Sequence, residues 1–108
     1  ALAPVHAAAL PAIEEHDQHY AAEVEINDYP QQARWRVTKK DALNGIVEFT
    51  GCAISTRGNY YGPGKQCPAN DRKLYLAIEG KNANMVQQAR QDIRRMLEEE
   101  SLKSIQQR

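Results

Sequence analysis

The chain has 108 residues, 42% hydrophobic and only 6% aromatic, which suits one small domain with an aliphatic core and is too little for two. Fourteen bases balance fourteen acids, and no apolar run approaches the ~20 residues a membrane-spanning helix needs. Cys52 and Cys67 are too few for a disulfide framework, and their spacing fits no zinc pattern.

The neutral total conceals an uneven distribution. Residues 1–30 carry six acids and no Lys or Arg, whereas residues 31–73 carry eight bases against three acids, a local excess of +5. The middle of the chain is therefore where a polyanion would dock.

Residues 1–20, broken by Pro4 and Pro11, read as a flexible Ala-rich and acidic linker. The chain begins at Ala1 rather than Met, as expected for a fragment or processed product, and its opening lacks the basic start of a secretory signal. His16 and His19 read as solvated tail residues rather than a metal pair. "AEVEIND" alternates Val24 and Ile26 with Glu23 and Glu25, the pattern of a half-buried strand. Asn27 and Asp28 end it and are expected to cap the next helix, with Pro30 in its first turn.

"QQARWRV" is then a short helix of about two turns, on which Trp35 is expected to pack inward. "TKKDALNGIVEFTG" predicts a second helix, with Thr38 as N-cap, Asp41 in a capping-box arrangement, and Leu43, Ile46, Val47 and Thr50 at helical spacing. Gly51 supplies its stop. "CAISTR" predicts a strand with Cys52, Ile54 and Thr56 on one face. "KLYLAIEG" predicts another with Leu74, Leu76 and Ile78 inward. Between them runs the long connection "GNYYGPGKQCPANDR". Last comes a long helix, capped by Asn82, with Met85, Val86, Ala89, Ile93, Met96 and Leu97 as its apolar stripe. Arg90, Arg94 and Arg95 are expected on its solvated face, and residues 101–108 as its polar end.

The order strand, helix, helix, strand, strand, helix predicts an α+β domain, a three-stranded antiparallel sheet with three helices on one face. It resembles the KH type I arrangement (β-α-α-β-β-α), a module for single-stranded RNA. That resemblance implies a groove beside the two early helices and a glycine clamp, GXXG, at their junction. Here the junction reads "VTKK", so Lys39 and Lys40 stand where clamp amides would approach phosphate. The long connection does not make a nucleotide loop. Five residues separate Gly58 from Gly64, and Gln66 comes after Lys65, which departs from G-x-x-x-x-G-K-[ST].

Three segments, "EVEINDYPQQARWRVT", "ISTRGNYYGPGK" and "RKLYLAIEG", resemble the C-terminal degenerate KH-like region of the Prp5-type DEAD-box pre-mRNA splicing helicases. The resemblance covers residues 21–100. It implies a nuclear, non-catalytic accessory domain of an ATP-dependent RNA helicase at the U2 snRNP and branch-site stage. Single-stranded RNA and spliceosomal proteins are its expected partners, with no cofactor, metal, membrane or DNA. Arg34, Arg36, Lys39, Lys40, Arg57, Tyr60, Tyr61 and Lys65 are the candidate RNA-binding residues. The alternative is a protein-interaction module that kept the KH scaffold and lost its RNA clamp.

Overall fold

A computed structural model describes residues 14–15 and 19–106, and its first elements are the strands β1 (Glu14–Glu15) and β2 (Tyr20–Glu25). Alternation decides how β2 faces: Val24 is buried while Glu23 and Glu25 are exposed. β1 lies within the stretch expected to be a linker and pairs antiparallel with β2 through Glu14–Ala21 and Glu15–Tyr20. It adds a two-residue edge to the expected sheet. His19 precedes β2, with Nε2 3.5 Å from Glu79 Oε1; His16 lies outside the described residues.

α1 (Gln31–Thr38) and α2 (Lys40–Thr50) come next, then β3 (Ala53–Arg57), β4 (Tyr75–Gly80) and α3 (Ala83–Gln106). The sheet order is β1-β2-β4-β3, antiparallel throughout. The expected three strands and three helices are all present, in the expected order.

β4 is the central strand, paired with β2 on one side and β3 on the other. Its position explains a departure from simple alternation. Leu76 and Ile78 are fully buried against the helices, and Tyr75 and Ala77 on the opposite face are buried as well. The core forms where Leu76, Ile78, Ala22, Val24 and Ile26 meet Val86, Ala89, Ile93, Met96 and Leu97 of α3, with Ala33, Val37 and Ile46 from the short helices. Burying each Leu or Ile contributes about 1.5–3 kcal/mol. Cys52 is among these buried side chains.

The helix ends show what local sequence specified. Gly51 takes φ +72° and donates its N–H to Val47 O at 2.7 Å, the left-handed stop expected of glycine. Asn82 Oδ1 accepts from the N–H groups of Asn84 (2.8 Å) and Met85 (3.2 Å), capping α3. Thr38 departs from expectation. It is the last residue of α1, and its hydroxyl donates back to Arg34 O at 2.9 Å. Lys39 alone, extended at φ −74° and ψ 135°, stands between the helices, and no side chain caps α2.

Two further expectations are corrected. Trp35 is 56% exposed because Ala33 and Val37 already turn the other side of α1 to the core. Arg90 is only 9% exposed, since it adjoins Ala89 at the edge of the buried stripe. Desolvation, reinforced by the nearby Arg94, lowers its pKa.

Candidate functional site

The long connection leaves the sheet at Gly58, whose φ is +79°. A Cβ there would sit 2.5 Å from Lys73 O, so only glycine lets the two ends of the loop meet. Asn59 N–H then donates to Arg72 O at 2.9 Å, and Asn59 forms a bridge with Lys73. The base of the loop is thereby closed.

Its tip is anchored from a distance. Asn27 does not cap α1; it is 2% exposed, and its amide pairs with the main chain of Tyr61. Nδ2 donates to Tyr61 O at 2.8 Å, and Oδ1 accepts from Tyr61 N–H at 2.9 Å. Nδ2 also donates to Asp28 Oδ1 at 3.0 Å. Asn27 thus substitutes for a strand neighbour, satisfying both main-chain groups of Tyr61.

A second anchor lies inside the loop. The Tyr61 hydroxyl donates to Asp71 Oδ2, and Asn59 Nδ2 donates to both carboxylate oxygens of Asp71, at 3.2 and 3.0 Å. The bond to Asp71, with desolvation second, pushes the Tyr61 phenol up to about 12. Reciprocally, the bonds from Tyr61 and then Asn59 hold the Asp71 carboxyl below its ordinary value.

Between the tip of this loop and the start of α1 lies a cleft of about 820 Å³. One wall is Asn27, Asp28, Tyr29, Pro30, Gln31 and Arg34; the other runs from Tyr60 to Lys65, with Lys73 beneath. Pro30 sets the helix entry at φ −57°, directing the first turn and Arg34 along the cleft. Arg34 Nη1 donates to Tyr29 O at 2.8 Å, and its guanidinium lies 4.0 Å over the Tyr60 ring. The result is a planar cation on an exposed aromatic ring, flanked by two lysines.

The eight candidate residues therefore separate. Arg34, Tyr60, Tyr61 and Lys65 line the cleft together. Arg36 faces α3, with Nη1 3.0 Å from both Glu99 Oε1 and Glu100 Oε2. Lys103, and then Arg36, hold the Glu100 carboxyl below its usual range. Lys39 and Lys40 are exposed at the helix junction and do not line the cleft. Arg57 is exposed on β3, its Nε donating to Ser55 Oγ at 3.2 Å. Tyr61 has its hydroxyl committed to Asp71, which leaves Tyr60 as the freer ring.

Lys73, Asp28 and Asn27 were not among the candidates. Lys73 reads from the sequence as the start of a strand, and Asn27 as an ordinary cap. The loop's own polar pattern, "GNYYGPGK" with "NDR" after it, was the only available signal that it needed partners.

On the open face of the sheet, Arg72 pairs with Glu23 through bonds of 2.7 and 3.1 Å and lies 3.8 Å over the Tyr75 ring. This pairing lowers the Glu23 pKa and raises that of Arg72. No cluster of three His, Cys, Asp or Glu fit to hold a metal occurs among the described residues, and no described helix is long and apolar enough to cross a membrane.

A family model described as a KH-domain matches residues 20–103. The chain is 48% identical over 98 residues to the DEAD-box ATP-dependent RNA helicase 42 of Oryza sativa subsp. japonica, a match covering 91% of this chain and 9% of the helicase. It is also 48% identical over 86 residues to the probable ATP-dependent RNA helicase DDX46 of Homo sapiens, covering 80% of this chain and 8% of that protein. With the DEAD-box ATP-dependent RNA helicase 45 of Arabidopsis thaliana it shares 44% identity over 98 residues, again 91% of this chain and 9% of the relative. No solved structure matches it significantly. These findings bear out the resemblance carried by the three segments. The chain spans less than a tenth of the length of these curated relatives, and what it matches in them is a non-catalytic KH region.

Proposed function

The chain belongs to the KH-domain family, and from that we propose that it is an accessory domain through which a DEAD-box RNA helicase holds single-stranded RNA weakly. The observation that carries this reading is the convergence of Arg34, Tyr60, Lys65 and Lys73 on one cleft. Two lysines suit phosphates, and the Arg34–Tyr60 stack offers a flat surface to a base. Weak binding is the consequence of the helix junction, where one extended lysine replaces the paired glycines whose amides would clamp the backbone.

The relatives are RNA helicases by name, and the resemblance to splicing helicases supports a place in pre-mRNA splicing, in the nucleus, at the branch-site stage. The test is a titration of isotope-labelled protein with short single-stranded RNAs near physiological salt, monitored through backbone amide shifts. Shifts confined to residues 27–34, 59–65 and 73 are expected. An unchanged spectrum at high RNA concentration overturns the reading.

One observation favours a second reading. Trp35 (56% exposed) and Phe49 (71% exposed) stand on the two short helices, and aromatic rings are enriched where proteins meet one another. As a protein-interaction module, the domain would retain a splicing partner after nuclease treatment. Loss of every partner with RNase would exclude this.

A further inference from the structure

We infer that the cleft selects guanine, through the carboxylate of Asp28, in the single-stranded RNA it takes; this rests on the RNA-binding function proposed for the domain.

Among the described residues, Asp28 is the one carboxylate lining a cleft that also presents Arg34, Lys65 and Lys73. A carboxylate repels phosphate, so the part of an RNA strand it can attract is a base edge that offers donors. It is also held in place. Asn27, itself buried, donates to Asp28 Oδ1 and with the same amide grips the main chain of Tyr61. The residue before Tyr61 is Tyr60, whose ring carries the Arg34 guanidinium. One buried asparagine therefore holds an acceptor and the main chain next to a stacking platform, both in the same cleft. Such preorganisation is what base recognition needs, because neither group must be ordered when the base arrives.

The geometry of the acceptor decides the base. An ionised carboxylate presents two oxygens with about four lone-pair sites, so the bond from Asn27 leaves capacity on both. Its complement is a pair of parallel N–H donors. On unpaired bases in single-stranded RNA the Watson–Crick edge is exposed for reading. Guanine offers N1–H and the N2 amino group side by side. Adenine and cytosine offer one amino group next to a ring acceptor, and uracil offers one N–H between two carbonyls. Each of these three sets a lone pair against the carboxylate, whereas guanine satisfies both oxygens.

The experiment measures fluorescence anisotropy of four labelled heptamers, uridine throughout except for a central G, A, C or U, against the 108-residue chain. The guanine heptamer should bind about tenfold tighter than the others, as a bidentate base contact implies. Asp28→Asn, which replaces one acceptor by a donor, should bring the guanine heptamer down to the affinity of the other three. An unchanged amide fingerprint away from the cleft shows the variant to be folded. Equal binding of all four heptamers, or a guanine preference that persists in Asp28→Asn, overturns the guanine inference and leaves the RNA-binding function standing. Absence of binding by all four overturns both.

Discussion

The two junctions that flank α1, residues 26–30 before it and Lys39 after it, are built in opposite ways. At its C-terminal end, Thr38, Lys39 and Lys40 connect to α2 through a single extended residue, and no side chain caps the second helix. At its N-terminal end, Asn27 to Pro30 are tied into a network reaching across the molecule: Asn27 to Tyr61, Tyr61 to Asp71, Asp71 to Asn59, and Arg34 to Tyr29 and Tyr60. The first junction is where the KH resemblance places a clamp; the second is where this chain has invested its polar order. Fixed donors and acceptors recognise a ligand at lower entropic cost than mobile lysines do. The contrast therefore favours the loop over the helix junction as the place of the proposed site.

The contrast should be largest in stability. Asn27→Ala removes both bonds to the Tyr61 main chain and leaves those groups unpaired, a cost of about 2–3 kcal/mol. Urea unfolding should show it, with faster amide exchange at Tyr61; a loss no larger than a surface substitution would mean that water replaces the clamp. Next comes Arg34→Ala, which loses the bond to Tyr29 O and the Tyr60 contact. A cost of about 1–2 kcal/mol is expected, together with a several-fold drop in RNA affinity by anisotropy. If affinity holds, the Arg34–Tyr60 stack is structural only.

A smaller effect should appear on titration. The folded-state pKa of Asp71 lies below its ordinary value, so its bonds contribute fully above the ordinary carboxylate range and are lost as pH falls through the folded value. Acid titration of the Asn59 side-chain amide should reveal a midpoint depressed below a normal aspartate, and Asp71→Asn should erase it. At the other extreme, the Tyr61 pKa is raised, so its contribution is full below the ordinary tyrosine range and fades as pH rises toward about 12. Ultraviolet titration should show a late phenol that disappears in Tyr61→Phe. The smallest change is expected for Lys39→Ala with Lys40→Ala, within about 0.5 kcal/mol of wild-type stability. A clear fall in the salt dependence of RNA binding in that double variant would instead restore the helix junction as a phosphate contact.

What could be read from residues alone was whatever depends on near neighbours. Apolar spacing in 83–97 identified the buried stripe of α3, Asn82 and Gly51 marked helix ends, and alternation marked β2. Where near neighbours allowed two answers, the wrong one was available. Thr38 is as good a start for α2 as an end for α1, and the chain chose the end because its hydroxyl reaches Arg34 O. Asn27 looked like a cap because capping is the commonest local use of asparagine. Trp35 looked inward because large rings usually are, but a two-turn helix has one core face and Ala33 and Val37 occupy it.

By itself, then, the sequence determined the order of elements, the composition of the core and the family to which the chain belongs. Those depend on periodicity and on stretches of a few residues, where the physics is short-ranged. The tertiary structure alone decided which of eight candidate residues share a cleft. That choice rests on contacts such as Asn27 with Tyr61, 34 residues apart, and Arg36 with Glu99, 63 residues apart. A side chain's partner over such a separation is set by how the sheet and helices pack, and only the packed chain brings the groups within hydrogen-bonding reach.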